Sequence, residues 1–518
     1  MWTFSNHSNK MIHSKVLEVW GSGGPVSIPL RLATEPAKLT YIHSLESREL
    51  QQAKSEINLF YQEGKWDDYK KVTNPYEYIF LSWNRRSSRS VAIRQPLSRS
   101  YFKMIEMWKR LDLTTELAPL VKSQIGLRTA HSAEGPGGFI EGCIQASYNA
   151  MFKTDPAWKY LGSNAITLRS DAKNVPGWRK AAKFLTINPQ VWISDGEDGT
   201  GNILVKANQD HFAYHTRIRH GQGVHIYTAD GGFDFSSDYN AQEDSIFPLL
   251  LAECLIGLRV LAKGGCMIIK CFDTTEQPTL DLLWLLSRSF RSWGLIKPHT
   301  SRAGNAERYF IGKGYLDSSS DIINLLETYQ AKQIFTMPIL AQPISCPSWA
   351  TTMDLIQQLQ IDIEKMEILV IRQTLDLIKH TDPAIIRSLV MDNVTRSIVW
   401  CKVHDEDITE AWVTDLEKNI NRETADLLNI LNPPVHSVPY SYANWNQKST
   451  MLNTLSFDSF RTGDVAEVQT LDVNPFMRLK TKVNSSTTNI FGSSTKGVMS
   501  QTFPTILKSH NGYEEVPE

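Results

Sequence analysis

The chain has 518 residues and carries 54 lysines and arginines against 55 aspartates and glutamates, so its formal net charge is −1. This length allows two or three domains with buried cores, and the balanced charge excludes a uniformly basic surface for a polyanionic partner. The six cysteines show no Cys-x-x-Cys spacing and lie mostly in apolar runs, which argues against a structural zinc site and predicts reduced core residues.

The sequence offers no segment typical of membrane insertion. Its first 15 residues lack the apolar core of a signal peptide. The longest apolar run, residues 246–262, contains Pro248, Glu253 and Arg259 and is slightly short for a bilayer, so it predicts a helix packed on a sheet. We therefore expect a soluble, cytoplasmic protein with no membrane partner.

Residues 1–95 are predicted to form an N-terminal extension with a helix at 48–61. Between residues 78 and 105 there is no acidic residue, while basic side chains are interleaved with aromatic ones. This mixture suits a surface that neutralises phosphates and stacks bases, although a solvated basic loop has the same composition and is given equal weight. The candidate RNA-binding residues in this stretch are Arg85, Arg86, Arg89, Arg94 and Arg99.

A glycine-rich stretch, HSAEGPGGF at residues 131–139, ends where an apolar helical pattern begins. Glycines let a backbone lie directly against a ligand, and strand-to-helix turns bind nucleotides in α/β folds; the alternative is a turn that only makes a tight bend. An acid before the glycines would repel phosphate but attract a cationic ligand such as S-adenosylmethionine. The candidate cofactor-binding residues are Glu134, Gly135, Pro136, Gly137, Gly138 and Phe139.

Two further aspartates are candidates for cofactor contacts. A short buried strand is predicted at residues 165–168, and Asp171 follows it at a position suited to a ribose hydroxyl. Asp198 lies in the loop DGEDGTGNI, residues 195–203, where it could face an adenine amino group or cap a turn. Both readings of Asp198 stay open at this point.

The clearest strand pattern, residues 224–229, ends on Asp230 followed by two glycines. Ligands collect at the carboxyl edge of an α/β sheet, so this places a carboxylate where chemistry is expected. A long helix at 246–262 should follow and end at Lys263 and two glycines. The next strand, 266–269, ends on Lys270, which puts an amine beside that carboxylate.

The remaining pattern predicts a helix at 280–290 and a strand at 309–311, with Glu307 close to the start of that strand. Apolar residues recur at helical spacing between about 321 and 431, which predicts a helical segment whose stripes are core or bind a protein partner. Beyond about residue 439 serine, threonine and asparagine dominate, so we expect an extended or disordered tail.

Four motifs in this order carry a family resemblance: EGPGGF at 134–139, TADGGF at 228–233, KGGCMIIKCFD at 263–273 and SRAGNAERY at 301–309. Together they resemble the FtsJ-like ribose 2′-O-methyltransferases, in the cap-specific mRNA branch, and are most similar to the enzymes of large cytoplasmic DNA viruses. The resemblance implies an α/β, Rossmann-like, SAM-dependent methyltransferase fold. We expect an N-terminal extension (1–95), the methyltransferase domain (96–320), a helical domain (321–438) and the tail (439–518).

The resemblance also implies a catalytic tetrad of Lys103, Asp230, Lys270 and Glu307, with Lys109 as the alternative for the first lysine. Lys270 would act as the base or orient the reacting hydroxyl, and the direction of its pKa shift cannot be decided from opposing neighbours. Asp230 is also a cofactor-binding candidate, and Arg302 joins the RNA-binding candidates. The mechanism requires no metal.

The implied reaction transfers a methyl group from S-adenosylmethionine to the ribose 2′-hydroxyl of the first transcribed nucleotide of capped mRNA, converting cap 0 to cap 1. Capped RNA is the implied partner. The alternatives are a weak or inactive RNA-binding or assembly subunit and an enzyme acting on non-cap RNA. A viral protein would work in cytoplasmic factories or the virion, and a cellular cap enzyme in the nucleus.

Overall fold

The computed structural model shows an α/β fold, in which helices pack on a mixed β-sheet. The model describes residues 16–26, 28–34, 45–61, 65–81, 89–124, 126–152, 158–169, 175, 177–232, 242–317, 319–341 and 344–431. Asp171, Arg85, Arg86 and the predicted tail lie outside these residues.

Eight strands form one sheet in the order β1-β7-β8-β6-β5-β2-β3-β4. Their bounds are β1 Leu17–Ser22, β2 Leu127–Ser132, β3 Tyr160–Ile166, β4 Val191–Ser194, β5 Val224–Ala229, β6 Leu261–Cys271, β7 Phe290–Lys297 and β8 Arg308–Tyr315. Strands β4, β3, β2, β5 and β6 pair in parallel, whereas β8 runs antiparallel to both β6 and β7, and β1 runs antiparallel to β7.

Helices lie on both faces of this sheet. They are α1 Leu45–Tyr61, α2 Lys65–Thr73, α3 Ser100–Arg110, α4 Leu113–Gln124, α5 Gly138–Ser147, α6 Ala182–Ile187, α7 Lys206–His220, α8 Gln242–Val260, α9 Gln277–Arg288, α10 Ser320–Lys332, α11 Pro347–Lys379, α12 Pro383–Val403, α13 Ala411–Thr414 and α14 Leu416–Leu431. Within the described ranges, every helix is too short or too polar to span a bilayer.

The order of the strands reverses at β2. Strands β3 and β4 extend the sheet on one side of β2, and β5 then pairs with its other side. Such a reversal leaves a crevice beyond the carboxyl ends of the central strands, where α/β proteins bind ligands. The predicted Rossmann-like α/β fold is therefore confirmed.

Alternate residues of the central strands face two different apolar clusters. Tyr227 and Ile269 pack in one cluster with helices α8 and α9, whereas Ile226 and Ile268 pack in the other with helices α3 and α5. All four side chains are fully buried. A strand covered on both faces needs an apolar run without alternation, which is why residues 266–269 are all apolar and four of the six residues at 224–229 are apolar.

The structure corrects the predicted end of the long helix. Helix α8 ends at Val260, and Lys263 and its glycines lie inside β6, so they do not cap the helix. Leu261 pairs with Val224 but Cys266 already pairs with Ile226, so the residues between them form a bulge. Gly264 has φ +83° there, a conformation that glycine adopts readily.

The helical segment after β8 packs on the N-terminal segment. Helix α11 contacts α1, α2 and β1, and α12 contacts α14 and the turn Glu77–Ile79. All described residues belong to one compact unit, 1–441. The three boundaries between the four segments drawn from the sequence stay a prediction.

Candidate active site

Four separate elements bring the predicted tetrad to one edge of the sheet. Lys103 lies on α3, Asp230 follows β5, Lys270 is the second-last residue of β6, and Glu307 directly precedes β8. Because β8 is antiparallel to β6, its first residues lie beside the last residues of β6, and Lys270 pairs with Tyr309. The topology of the sheet therefore explains how four residues that are far apart in the sequence lie close together.

Direct contacts join the four side chains in two ion pairs. Lys103 Nζ lies 2.7 Å from Glu307 Oε1. Lys270 Nζ donates to the backbone oxygen of Asp230 at 2.8 Å and lies 3.3 Å from its Oδ1. The side chains of all four are 10–13% exposed, so they are screened from bulk water but reachable at the edge of the sheet.

The hydroxyl of Tyr309 connects the two pairs. It donates to Asp230 Oδ1 at 2.9 Å, accepts from Lys103 Nζ at 3.1 Å, and lies 3.3 Å from Glu307 Oε1. Burial raises the pKa of this phenol well above its ordinary value, so it stays a proton donor. Tyr309 is part of the motif SRAGNAERY, but the sequence did not indicate a role for it.

Opposing effects act on the charges of the site. Burial lowers the pKa of Lys270, but the carboxylates of Asp230, Glu307 and Glu253 outweigh it and the net pKa is raised above 10.5. Burial raises the pKa of Glu307, but the two lysines outweigh it and hold that pKa well below its ordinary value. At neutral pH Lys270 is an ammonium and Glu307 a carboxylate, which decides the direction that the sequence left open.

Glu134 of the glycine-rich loop is a buried carboxylate, 4% exposed. Its Oε1 accepts a hydrogen bond from the Thr228 hydroxyl, and its Oε2 lies 3.1 Å from His131 Nδ1. Burial raises the pKa of Glu134, and His131 partly offsets that effect. The Glu134 side chain is 1% exposed, and His131 is the cationic or donor group that lies beside Oε2 in the described structure.

The glycines of this loop pack closely against the protein itself. A Cβ on Gly135 would lie 2.8 Å from the oxygen of Gly177, and one on Gly138 would lie 2.2 Å from Ser98 Oγ. Gly137 has φ +108° at the start of α5, as a turn from strand to helix requires. Tight packing is thus one reason for the glycines, alongside the predicted cofactor contact.

Two other loop candidates are buried. Pro136 is buried between the glycines. Phe139 is 0% exposed, and its ring centroid lies 5.8 Å from that of Tyr309. Its side chain therefore packs under the tetrad and is not open to a cofactor.

Asp198 orders its own loop. Its Oδ1 accepts hydrogen bonds from Thr200 N at 2.9 Å, Thr200 Oγ1 at 2.7 Å and Asn208 Nδ2 at 2.9 Å. The bonds from Thr200 and Asn208 lower the pKa of Asp198. The turn-capping reading of Asp198 matches these contacts, and an adenine contact stays a prediction.

The described RNA-binding candidates all have acidic partners within the chain. Arg89 pairs with Glu423 and Asp426, Arg94 with Glu406 at 3.5 Å, Arg99 with Glu77 at 3.0 Å, and Arg302 with Glu77 at 2.9 Å. These pairs tie the stretch before α3 to other elements, and an RNA contact by these arginines stays a prediction. The alternative lysine, Lys109, is 53% exposed and pairs with Asp405, outside the tetrad.

Lys297 is a buried lysine that the sequence analysis missed. Its side chain is enclosed at the end of β7, and Nζ donates to the backbone oxygens of Asn305 at 2.6 Å and Glu307 at 2.9 Å. Burial lowers the pKa of Lys297 to about 8. The signal was present, because a lysine ends an apolar strand pattern here just as Lys270 does.

The described part of the chain contains no cluster of three or more histidine, cysteine, aspartate or glutamate side chains that could hold a metal ion. The tetrad and Tyr309 bring two amines, two carboxylates and one phenol together. These groups can orient a hydroxyl and stabilise charge on its oxygen.

Comparison with known proteins identifies the central part of the chain. Residues 96–315 match the FtsJ-like methyltransferase family. The chain is 27% identical over 295 residues to cap-specific mRNA (nucleoside-2′-O-)-methyltransferase 2 of Drosophila melanogaster, covering 57% of this chain and 39% of that protein. It is 31% identical over 261 residues to the corresponding methyltransferase 1 of Dictyostelium discoideum, covering 48% and 31%.

A viral relative matches at a similar level. A probable methyltransferase of African swine fever virus, strain Badajoz 1971, is 24% identical over 272 residues, covering 51% of this chain and 57% of the viral protein. The match spans less than two fifths of the length of the fly and Dictyostelium relatives. The region of residues 96–315 is an FtsJ-like methyltransferase domain, of a family that uses S-adenosylmethionine.

Proposed function

We propose that the chain transfers a methyl group from S-adenosylmethionine to the ribose 2′-hydroxyl of the first transcribed nucleotide of capped RNA. The observation that carries this proposal is the contact of Lys103, Asp230, Lys270 and Glu307 at the carboxyl edge of a Rossmann-like sheet. The names of the fly and Dictyostelium relatives support capped mRNA as the acceptor.

The cofactor supplies a methyl group on a positively charged sulfur and also carries an ammonium. We assign Glu134 to that ammonium, because it is the carboxylate of the glycine-rich loop and its burial would cost less beside a cation. The glycines at 135, 137 and 138 would let the loop backbone lie beside the cofactor. Asp230, Asp198 and, outside the described residues, Asp171 stay candidates for further contacts.

Lys270 is the group assigned to the reacting hydroxyl. Its ammonium, held by Asp230, donates a hydrogen bond that orients the ribose oxygen and stabilises the negative charge that develops as the hydroxyl proton passes to water. With the cofactor bound, the oxygen–methyl bond would form as the methyl–sulfur bond breaks, and the neutral thioether would leave. The raised pKa of Lys270 favours this orienting role over the role of a neutral base. Lys103, Glu307 and Tyr309 hold the geometry by their shared contacts.

Replacing Lys270 tests the assignment. Lys270→Ala should lower the rate of methyl transfer by about 10²–10⁴-fold, while the affinity for S-adenosylmethionine changes little. Transfer of a labelled methyl group to capped RNA measures the first quantity, and titration calorimetry measures the second. Lys263→Ala is the matched control, because Lys263 lies on the same strand and is exposed.

The same assay separates the other candidate functions. Retained transfer in Lys270→Ala would remove the assigned role, and RNA binding without transfer in the unmodified chain would identify an RNA-holding or assembly subunit. Equal transfer to uncapped RNA would identify a non-cap acceptor. We place the activity where capped transcripts are made, which is the cytoplasm for a viral protein and the nucleus for a cellular one.

A further inference from the structure

A buried polar network joins helix α11 to the strands that carry Lys270 and Glu307. At its centre is Gln360, which is 1% exposed. Its Oε1 accepts hydrogen bonds from Arg308 Nη1 at 2.6 Å and from Thr274 N at 3.2 Å. Its Nε2 donates to Asp273 Oδ1 at 3.1 Å and to Glu364 Oε1 at 3.0 Å. One amide therefore binds a cation and an anion at the same time.

The partners of Gln360 are next to the tetrad in the chain. Arg308 is the first residue of β8, directly after Glu307, and Asp273 lies just beyond the end of β6. Arg308 pairs with Cys271 in the sheet, one position from the pair of Lys270 and Tyr309. Gln360 thus ties the end of β6 to the start of β8 where these strands deliver their catalytic groups.

Charges around this amide are buried and nearly balanced. Arg308 is 0% exposed, and its Nη2 lies 3.4 Å from Asp273 Oδ1. Lys54 of α1 lies 3.6 Å from Asp273 Oδ2 and 3.7 Å from Glu367 Oε2 of α11. Burial raises the pKa of Asp273, but Lys54 and Arg308 outweigh it and the net pKa is lowered.

A neutral amide is the side chain that satisfies both charges here. An apolar residue would leave Arg308 and Asp273 each short of a buried hydrogen bond, and such losses displace the groups concerned or destabilise the fold. A carboxylate could accept from Arg308 but could not donate to Asp273. The ends of β6 and β8 would then be free to shift relative to each other.

We propose that Gln360 is a positioning residue for Lys270 and Glu307, so that helix α11, outside the FtsJ-like region 96–315, is required for methyl transfer. This inference rests on the proposed function. It predicts that the loss of Gln360 affects the chemical step and leaves the binding of the cofactor and RNA largely intact. A purely structural role predicts a loss of stability alone.

The test compares Gln360→Leu and Gln360→Glu with Gln358→Leu in the full chain. Gln358 lies on the same helix but is exposed, so it is the matched control. Measurements are made below the melting temperature of every variant. We expect kcat of Gln360→Leu to fall about 10–100-fold, with KM for capped RNA and Kd for S-adenosylmethionine within about twofold of the control.

The glutamate variant gives a pH signature. The introduced carboxyl would face the carboxylates of Asp273 and Glu364 as well as Arg308. The kcat of Gln360→Glu relative to the unmodified chain should rise as the pH falls from 8 to 6, because protonation of this carboxyl restores a donor toward the two carboxylates. If Gln360→Leu does not fold, Gln360→Glu tests the positioning role alone. A kcat of Gln360→Glu at pH 8 equal to that of Gln358→Leu overturns the proposal. A lowered melting temperature with unchanged kcat in Gln360→Leu also overturns it.

Hydrogen exchange separates this inference from the proposed function. The amides of residues 271–274 and 308–310 should exchange at least about tenfold faster in Gln360→Leu than in Gln358→Leu, whatever the acceptor. If the unmodified chain methylates no RNA, the proposed function fails and the exchange rates still decide whether Gln360 holds the strands. Unchanged exchange would overturn the positioning role.

Discussion

Nearby opposite charges determine whether each ionisable residue of the site is charged. Burial alone would favour neutral forms of Lys270 and Glu307, but each has opposite charges close by, so both keep their charges. The resemblance to the FtsJ-like family implied the four residues, with Lys109 as the alternative to Lys103, whereas the strand patterns alone placed only Asp230, Lys270 and Glu307 near strand ends. The sequence could not predict the direction of the Lys270 shift, since that depends on distances to several carboxylates.

Tyr309→Phe should lower kcat about tenfold. The change removes the hydroxyl that links Asp230 to Lys103, and one hydrogen bond to a charged group corresponds to about 1.5–3 kcal/mol. Single-turnover methyl transfer measures the effect. The control is Tyr315→Phe on the same strand, which removes a hydroxyl bonded to the backbone of Leu258. An equal loss in both variants would contradict a specific role for Tyr309.

Lys297 should make stability depend on alkaline pH. Its pKa is about 8 in the folded chain and 10.5 ordinarily, so the unfolded chain binds more protons between these values. The cost of burying the charged amine is therefore constant below pH 8 and is relieved as pH rises to 10.5, by at most about 3 kcal/mol. Urea unfolding of the unmodified chain and Lys297→Met from pH 7 to 10.5 measures this difference. A stability gap independent of pH would contradict it.

Elements differ in how far the sequence determines them. Strand β5 was predicted at its observed bounds because an apolar run ends on Asp230 and glycines. The prediction that the long helix ends at Lys263 was wrong. A lysine followed by two glycines can cap a helix, but the same residues also fit a bulge at the start of β6. Gln360 was missed because its hydrogen bond to Asp273 spans 87 positions, and periodicity reports only local structure.

Arg89 connects the segment before α3 to helix α14. Because it pairs with Glu423 and Asp426, Arg89→Met should lower the free energy of unfolding by about 1–3 kcal/mol, which urea titration measures. Arg422→Met, an exposed change on α14, is the control. The salt dependence of RNA binding should not change. A slope reduced by about one would instead support the RNA contact predicted from the sequence.

Elements from outside the region 96–315 pack on the methyltransferase sheet or extend it. Strand β1 adds to the edge of the sheet at β7, and helix α11 packs on α1 and α2. Composition and spacing predicted the presence of a helical segment but not its position, because apolar stripes do not specify their partner. The structure gives this segment a place beside the catalytic edge through Gln360 and Arg308.

The position of the transferred methyl group shows whether Lys270 directs methyl transfer to a ribose hydroxyl. A transcript with an unmethylated first nucleotide is incubated with labelled S-adenosylmethionine, digested to nucleosides and analysed by mass spectrometry. The account predicts a 2′-O-methyl group on the first transcribed nucleotide of capped RNA, present with Lys263→Ala and lost with Lys270→Ala. A methyl group on a base, or transfer that persists in Lys270→Ala, would contradict it.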